Sequence, residues 1–401
     1  MRLKIDGFDH QGRGIAHYNN KVYFIFNALP DEEVEIEILK EKKNIVTGKV
    51  IKYYKTNSEL RVKPKCPLFG ICGGCDIMHI KDQNGYKLDK LNNIINKYVD
   101  KNIKVLDVVN LNEYNYRNKI TLQVCNNEIG LYKKNSNDIV CIDKCYLVDD
   151  RINKIIDLIK KNQKLNGIKQ IVIKCMDESM VTFIGDDNVN YDYLKSVVDS
   201  IYVNKKNVYG KSKITVYMGN FKFLVSSESF FQVNTLVANA MYNYIDSLID
   251  KTNVIFDLYC GTGTIGIFVS NKANRVIGLE INSEAVRDAN ENKKINGINN
   301  IDFYEGDASS IVKKTDLKPD VIIVDPPRSG LDDKMIMDIN KLLPKKIIYV
   351  SCDPMTLARD LKKLDNYNII SIKGFNMFPN SYHVESVTLL EIKECHKWNY
   401  I

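Results

Sequence analysis

The sequence predicts a multidomain α/β protein with a small N-terminal β-barrel, a central β-rich domain and a C-terminal doubly wound α/β domain. The 401-residue chain is too long for one core of typical size. Short apolar runs alternate with turn residues at the start of the chain, and apolar runs alternate with helical segments near its end. The expected domains are residues 1–58, 59–225 and 226–401.

The composition is that of an ordinary globular protein, with 44% hydrophobic and 27% charged residues. No stretch reaches the roughly 18 consecutive apolar residues of a membrane span. The first residues lack the apolar core of a secretory signal, so a cytoplasmic location without a membrane partner is expected. The net charge of +7 is compatible with a nucleic-acid partner but does not establish one.

The predicted barrel rests on period-two patterning. Val34, Ile36 and Ile38 alternate with glutamates, and glycines interrupt the neighbouring runs. Small barrels of this kind often bind oligonucleotides through aromatic stacking faces. Burial in the barrel core explains each aromatic residue equally well. The candidate stacking residues are Phe8, Tyr18, Tyr23 and Phe24.

The segment CPLFGICGGC places Cys66, Cys72 and Cys75 within ten residues, and Cys145 follows as a possible fourth ligand. Four cysteines suit zinc or a [4Fe–4S] cluster. C-x2-C occurs only once, unlike in common zinc fingers, which favours an iron–sulfur cluster. Cys141 lies four residues before Cys145 and is the alternative fourth ligand.

A glycine-rich loop follows an apolar strand in VIFDLYCGTGTIG, with Gly261, Gly263 and Gly266 spaced as G-x-G-x-x-G. Alone, this pattern also fits a dinucleotide site. Glu280 ends the next strand and Asp307 follows a later one, which is how S-adenosylmethionine is usually held in such folds. A further strand ends in VDPPR, a pattern typical of methyltransferases that act on planar groups.

In YVSCDPMTLARD, Cys352 lies between a strand and a helix. Asp353 suits the N-cap and Pro354 the first helical position, so the helix dipole is expected to lower the thiol pKa, opposed by the Asp353 charge. An inert buried thiol is the alternative. Glu385 enters an apolar strand, where a carboxylate is costly unless it is paired or functional, and His383 is a rival general base.

CPLFGICGGC, SFFQVN, DLYCGTGTIG, VDPPR, SCDP and HVES together resemble the bacterial 23S rRNA (uracil-5-)-methyltransferases, within the wider RNA 5-methyluridine methyltransferase family. The resemblance spans nearly the whole chain. It implies an N-terminal TRAM barrel, a central domain with a [4Fe–4S] cluster, and a Rossmann-like C-terminal domain dependent on S-adenosylmethionine. By analogy, segment 79–109 is expected to pack on the catalytic domain.

Carried over by position, Cys352 matches the nucleophile and Glu385 the general base. Cys66, Cys72, Cys75 and Cys145 match the cluster ligands, although Tyr146 stands where proline normally follows the fourth. The cofactor-binding positions, with the loop glycines included, are Gln232, Tyr259, Gly261, Gly263, Thr264, Glu280, Asp307 and Asp325.

The resemblance implies methylation of carbon 5 of an RNA uridine through a covalent bond between Cys352 and carbon 6. The expected substrate is 23S rRNA, with tRNA as the alternative. Arg117 and Lys119 are expected to hold the RNA backbone. A non-catalytic cluster-bearing RNA-binding protein is a further alternative, but it has no need for both Cys352 and Glu385. The protein is expected to be a monomer.

Overall fold

The computed structural model describes residues 1–57, 59–162, 164–307 and 316–394. The N-terminal residues form one six-stranded sheet with the order β1-β5-β6-β4-β3-β2. Alternate residues of its fifth strand are buried, as the period-two pattern predicts, but Ile38 is exposed beside a register shift. The strands are β1 (Arg2–Lys4), β2 (Gly7–Phe8), β3 (Gly14–Tyr18), β4 (Lys21–Phe26), β5 (Glu33–Lys42) and β6 (Ile45–Lys55).

Helix α1 (Gln83–Tyr98) and strand β7 (Val105–Val109) follow the cysteine-rich segment. Asp82 caps α1 by accepting a hydrogen bond from the Gly85 amide at 2.8 Å. The buried face of α1, with Leu91 and Ile95, packs into the core of the C-terminal sheet. This segment therefore contributes to the C-terminal part of the molecule, although it precedes the central sheet in the chain.

The central region is a seven-stranded sheet with the order β10-β9-β8-β11-β12-β13-β14. Helix α2 (Asp150–Asn162) covers it, and its isoleucines at helical spacing are buried against the sheet. A short 3-10 helix spans Asp192–Leu194. The strands are β8 (Lys119–Cys125), β9 (Glu128–Tyr132), β10 (Ile139–Cys141), β11 (Ile168–Cys175), β12 (Ser179–Gly185), β13 (Ser200–Val203) and β14 (Lys206–Gly210).

A hairpin of β15 (Ile214–Met218) and β16 (Phe221–Val225) leads into the C-terminal region. Its Val216 and Phe223 belong to the core of the C-terminal sheet. The hairpin thus packs with the region after the predicted boundary at residue 225, and the domain limits remain a prediction.

The C-terminal sheet has eight strands in the order β19-β18-β17-β20-β21-β23-β22-β7. Its five strands from β19 to β21 in that order are parallel, β23 runs antiparallel to β21 and β22, and β7 is parallel to β22. The strands are β17 (Thr252–Leu258), β18 (Ala273–Glu280), β19 (Ile301–Glu305), β20 (Val321–Val324), β21 (Lys346–Ser351), β22 (Tyr367–Phe375) and β23 (Glu385–Ile392).

Helices cover both faces of this sheet, which confirms the predicted α/β architecture. The last residues of the predicted C-terminal domain, 395–401, lie outside the described residues. Within the described ranges, no helix combines the length and apolar character needed to cross a membrane. The remaining helices are α3 (Thr235–Ser247), α4 (Thr264–Phe268), the 3-10 helix Ser270–Lys272, α5 (Ser283–Ile295), α6 (Asp333–Leu342) and α7 (Pro354–Leu361).

Candidate active site and cysteine cavity

A cavity of about 760 Å³, here called the strand-end cavity, opens at the carboxyl edge of the parallel strands. Ligands bind at this edge in open α/β sheets because strand ends and loops converge there. The predicted site residues that line the cavity are Gln232, Tyr259, Gly261, Thr264, Glu280, Asp325, Cys352 and Glu385.

Strand register explains why the reactive groups meet. Cys352 follows β21, whose last residue Ser351 pairs with Ser386 in antiparallel β23. Glu385, the first residue of β23, therefore lies beside Cys352 although the two residues are 33 positions apart in the chain. Asp325 follows β20, the other neighbour of β21. The Cys352 thiol and the carboxyl groups of Asp325 and Glu385 therefore lie at the same edge of the sheet.

The pKa of the Cys352 thiol is raised to about 12, first by burial and then by the charges of Glu385 and Asp325, while Arg328 acts in the opposite direction. The predicted lowering by the helix dipole is therefore wrong. Asp353 caps α7, because its carboxylate accepts hydrogen bonds from the Met355 and Thr356 amides at 2.8 and 3.2 Å. The backbone amides at the start of α7, which would otherwise favour a thiolate at Cys352, are therefore already bonded to the negatively charged Asp353 side chain.

Glu385 is 7% exposed, and burial raises its pKa to about 8, with the Asp325 charge as a second cause. Burial also raises the pKa of Asp325 to about 7. Both carboxyl groups can therefore change protonation near neutral pH, as acid–base catalysis requires. The pKa of His383 is lowered to about 4, by burial and then by Arg328, which makes this rival a weak base.

The glycine-rich loop follows β17 and faces Glu280 at the end of β18. The Gly261 amide donates to the Glu280 carboxylate at 3.1 Å, and the Asn282 amide donates to its other oxygen at 2.8 Å. Gly263 begins α4 with φ +79°, and an added Cβ would lie 2.6 Å from the Phe303 ring. Gly263 therefore permits close packing of helix and sheet.

Two of the predicted cofactor residues, Gly263 and Asp307, do not belong to the cavity lining formed by the described residues. Asp307 is exposed after β19, and its charge contributes to raising the pKa of Tyr259 to about 12, behind burial as the main cause. Tyr259 has φ +63° and lies half-buried in the lining.

Sequence reasoning missed Tyr242 of α3, a buried residue of the strand-end cavity. The Thr264 hydroxyl donates to the Tyr242 oxygen at 3.4 Å. In the sequence, Tyr242 stands at helical spacing with Ala238 and Ile245, which predicts only a core position. Its hydroxyl can therefore be recognised as part of the site only in the folded structure.

A second cavity of about 610 Å³, the cysteine cavity, is lined by Cys66, Cys72, Cys75 and Cys145. The loop with the first three cysteines is fixed to the end of β9. The Gly73 amide donates to the Tyr132 carbonyl at 3.0 Å, and the Lys134 amide donates to the Ile71 carbonyl at 2.8 Å. The fold thus brings together four thiols from distant segments.

Burial is the main cause of the raised pKa values of Cys72, Cys75 and Cys145, and the neighbouring thiols raise them further. Cys141 is exposed, and its thiol donates to the Glu128 carboxylate at 2.6 Å. Among the residues that the structure describes, no group of three or more His, Cys, Asp or Glu side chains could hold a metal ion as placed. The thiols surround a cavity instead of meeting at one point.

The two cavities share a wall of described residues. Phe230 in this wall is 69% exposed. The residues that line both cavities are Phe230, Phe231, Gln232, Arg328, Phe378 and His383.

Arg117 and Lys119 also line the cysteine cavity, and the Arg117 Nε donates to the Lys119 carbonyl at 3.0 Å.

Comparison with known proteins relates the chain to one family of RNA-modifying enzymes. Residues 193–315 and 309–393 match the family described as tRNA (Uracil-5-)-methyltransferase, and residues 1–51 match the TRAM domain. An uncharacterized RNA methyltransferase of Clostridium tetani is 34% identical over 97% of this chain and 95% of its own length. A second one, of Clostridium acetobutylicum, is 34% identical over 97% of this chain and 96% of its own.

A solved structure is similar over nearly the whole chain: Pyrococcus abyssi tRNA (uracil-54, C5)-methyltransferase in complex with S-adenosyl-L-homocysteine. The two proteins are 27% identical with a TM-score of 0.81, and the match covers 97% of this chain and 99% of the other. With relatives at this identity across the TRAM domain, the central region and the C-terminal sheet, the protein is a member of the RNA (uracil-5-)-methyltransferase family.

Proposed function

We propose that this enzyme uses S-adenosylmethionine to methylate carbon 5 of a uridine in RNA through a covalent bond between Cys352 and carbon 6 of uracil. The convergence of Cys352, Glu385 and Asp325 at one strand end carries this proposal. The glycine-rich loop opens into the same cavity, so a methyl donor and a uracil ring can meet there.

The cofactor side of the cavity fits a nucleoside with a charged sulfur. Glu280 ends β18, where a ribose is held in such folds, and Gly261 and Thr264 line the loop beneath it. Gln232 and Tyr242 lie in the same lining. When bound, S-adenosylmethionine supplies a methyl group on a positively charged sulfonium. A positive charge there favours the ionised forms of Cys352, Asp325 and Glu385.

The acidic groups have distinct roles in the proposed reaction. The Cys352 thiol loses its proton to solvent, and its sulfur bonds to carbon 6 while the ring π electrons move to carbon 5 and oxygen 4. Carbon 5 then bonds to the methyl carbon as the bond to the sulfonium breaks. Ionised Glu385 takes the proton from carbon 5, the 5,6 double bond re-forms, and the Cys352 thiolate leaves.

The ring must be approached on both faces, which excludes a uridine stacked in a helix. We propose that the target nucleotide is taken from a loop or flipped into the cavity. We assign to Asp325, which lines the cavity and has a pKa of about 7, a hydrogen bond to the uracil edge. Arg117 and Lys119 remain the proposed contacts to the RNA backbone, from the wall of the cysteine cavity.

For the RNA target we propose 23S rRNA, with tRNA as the second candidate. The Pyrococcus abyssi neighbour, a tRNA (uracil-54, C5)-methyltransferase, favours the tRNA candidate. Its match covers 97% of this chain, so the overall architecture is compatible with a tRNA substrate. The cytoplasmic location and the monomeric state stay predictions.

The test is methylation of both RNAs by the purified enzyme. Unmodified 23S rRNA and bulk tRNA are incubated with the enzyme and isotopically labelled S-adenosylmethionine, and 5-methyluridine is mapped by mass spectrometry. We expect label at carbon 5 of discrete uridines in rRNA. Label only in tRNA would select the second candidate, and label on another base would overturn the proposed reaction.

We further propose that Cys66, Cys72, Cys75 and Cys145 hold a [4Fe–4S] cluster. The four thiols line one cavity, and the Gly74 amide lies 3.4 Å from the Cys72 sulfur, a contact typical of ligand thiolates. Each cysteine of such a cluster binds a different iron, so the thiols need not converge on one point. The cluster would join loop 66–75 to the central sheet.

Iron and sulfide analysis tests this proposal with a matched pair of variants. Cys145→Ser is expected to lose most of the iron after anaerobic purification, while Cys141→Ser retains it, because Cys141 is exposed and bonded to Glu128. Loss of iron in Cys141→Ser alone would reverse the ligand assignment. Absence of iron and sulfide in the parent protein would overturn the cluster.

A further inference from the structure

The loop 376–384, which joins β22 to β23, ends immediately before Glu385. At its centre, Asn380 is fully buried and has φ +67°. A left-handed conformation is tolerated by asparagine better than by most residues, but it persists only where surrounding contacts enforce it.

Each polar group of Asn380 has a partner on another segment. Its carbonyl accepts hydrogen bonds from the Asp76 and Ile77 amides at 2.9 and 3.1 Å, directly after Cys75. Gln83 of α1 binds it twice, accepting from the Asn380 amide at 2.7 Å and donating to its Oδ1 at 3.1 Å. The Asn380 Nδ2 donates to the Glu113 carbonyl at 2.7 Å.

Neighbouring carbonyls of the loop are held in the same way. The Lys87 Nζ donates to the Phe378 carbonyl at 3.0 Å, and the Tyr116 hydroxyl donates to the Pro379 carbonyl at 3.0 Å. The Lys90 Nζ donates to the Tyr382 carbonyl at 2.8 Å. Loop 376–384 is therefore held by hydrogen bonds from three parts of the chain: helix α1, the residues directly after Cys75, and the segment before β8.

The same loop separates the two cavities. Its Phe378 and His383 line both of them, and Ser381 lines the cysteine cavity. A displacement of the loop would therefore change the cysteine cavity and the setting of Glu385 together.

From these contacts we infer that Asn380 is a positioning residue, whose side-chain hydrogen bonds to Gln83 and to the Glu113 carbonyl hold the loop that sets the general base Glu385. The inference rests on the proposed function, because it predicts which step of the proposed reaction slows when the hydrogen bonds of Asn380 are lost. Bond formation by Cys352 and transfer of the methyl group do not use Glu385. Only the removal of the proton from carbon 5 does.

A displaced base therefore has a specific signature. The methylated adduct, in which Cys352 is still bonded to carbon 6, is expected to accumulate because it forms normally and resolves slowly. A general loss of folding would instead reduce adduct formation, cofactor affinity and turnover together.

The test uses Asn380→Gly, since glycine adopts the left-handed backbone while both side-chain hydrogen bonds are lost. We expect turnover to fall at least ~10-fold, S-adenosylhomocysteine affinity to stay within about twofold of the parent, and the adduct with unmodified RNA to appear on denaturing gels. Gln83→Met removes the hydrogen bonds of Gln83 but leaves Asn380 in place, and we expect it to accumulate the same adduct. It provides the test if Asn380→Gly does not fold.

Asn204→Gly is the matched control. Asn204 also has a left-handed backbone (φ 52°) and bonds Gly185 through its side chain, but it lies in the hairpin of β13 and β14, and it should accumulate no adduct. Turnover lost without adduct in both Asn380→Gly and Gln83→Met would overturn the inference. The parent enzyme is tested with 5-fluorouridine RNA in parallel. Its failure to form any adduct would refute the proposed function, and the inference with it.

Discussion

The strand-end cavity and the cysteine cavity share a wall, yet they place their thiols in different surroundings. In the strand-end cavity, one thiol at a strand end faces the buried carboxyl group of Glu385 and the half-buried one of Asp325, and both pKa values lie near neutrality. In the cysteine cavity, three thiols from loop 66–75 and the thiol of Cys145 surround a common space. The first arrangement suits proton and bond exchange at one atom, and the second suits several metal–thiolate bonds.

The two cavities indicate that the groups packed around a thiol in the folded protein, more than its local sequence, determine its chemistry. Cys260 shows this within the strand-end cavity itself: it is buried, and burial is the main cause that raises its pKa far above the usual value. Cys352 has a raised pKa as well, but it lies beside Glu385 and Asp325, whose charges respond to what binds.

Removal of Cys352, the proposed nucleophile, should reduce activity more than any other change. Cys352→Ala should lower methyl transfer by ~10⁴-fold or more, while iron content and cofactor binding stay at parental values. Single-turnover assays with labelled S-adenosylmethionine measure this. Cys125→Ala, at an exposed cysteine, is the control and should retain activity. Substantial activity in Cys352→Ala would remove the distinction between the two cavities.

Glu385→Gln is expected to lower turnover by roughly 10²–10⁴-fold, the range for loss of a general base. Because Glu385 is proposed to act after methyl transfer, the variant should accumulate the methylated adduct between protein and RNA. Quenched-flow sampling on denaturing gels separates the two steps. Equal slowing of adduct formation and adduct decay would assign Glu385 to the first step instead.

The pH profile sharpens the role of burial in the strand-end cavity. Cys352 must lose its proton before its sulfur bonds to carbon 6, and its pKa is raised to about 12, whereas Glu385, with a pKa of about 8, is proposed to act only after methyl transfer. The value of kcat/KM for RNA should therefore rise about tenfold per pH unit between pH 6 and 7.5. Cofactor affinity, measured by calorimetry across the same range, separates binding from catalysis. A flat profile below pH 8 would contradict this electrostatic description.

The smallest effect concerns stability. Glu385 has a higher pKa folded than unfolded, so the folded state binds its proton more tightly, and stability falls as pH rises from about 4.5 to about 8. Glu385→Gln should then raise the free energy of unfolding at pH 8 by about 1 kcal/mol or more, roughly 2–4 °C in Tm. The gain should vanish at pH 5. Glu59→Gln, at an exposed carboxylate, serves as the control.

Much of the site was predictable because strand ends carry local signals. The apolar runs before Asp325 and Cys352 placed both residues at the same sheet edge, and the structure confirms that position. Long-range pairing was not readable. The parallel pairing of β7 with β22 joins Val105 to Ile372, and no local pattern encodes such a partner.

The Cys352 pKa was predicted in the wrong direction for a similar reason. The local sequence shows the helix start and Asp353, but Glu385 approaches from another strand through the register of β23. Tyr242 was missed because its spacing on α3 fits a core residue, and only packing places its hydroxyl beside Thr264. Contacts that depend on tertiary register lie beyond sequence periodicity.

The proposed reaction depends on a bond between the Cys352 sulfur and carbon 6 of a uracil. RNA with 5-fluorouridine at the target position tests for this bond, because fluorine prevents the proton removal proposed for Glu385 and traps the adduct. We predict a protein–RNA complex that survives denaturation, requires S-adenosylmethionine for its methylated form, and yields on digestion a Cys352 peptide carrying the modified nucleotide. A complex that persists in Cys352→Ala, or its absence in a parent enzyme that methylates unmodified RNA, would contradict the mechanism.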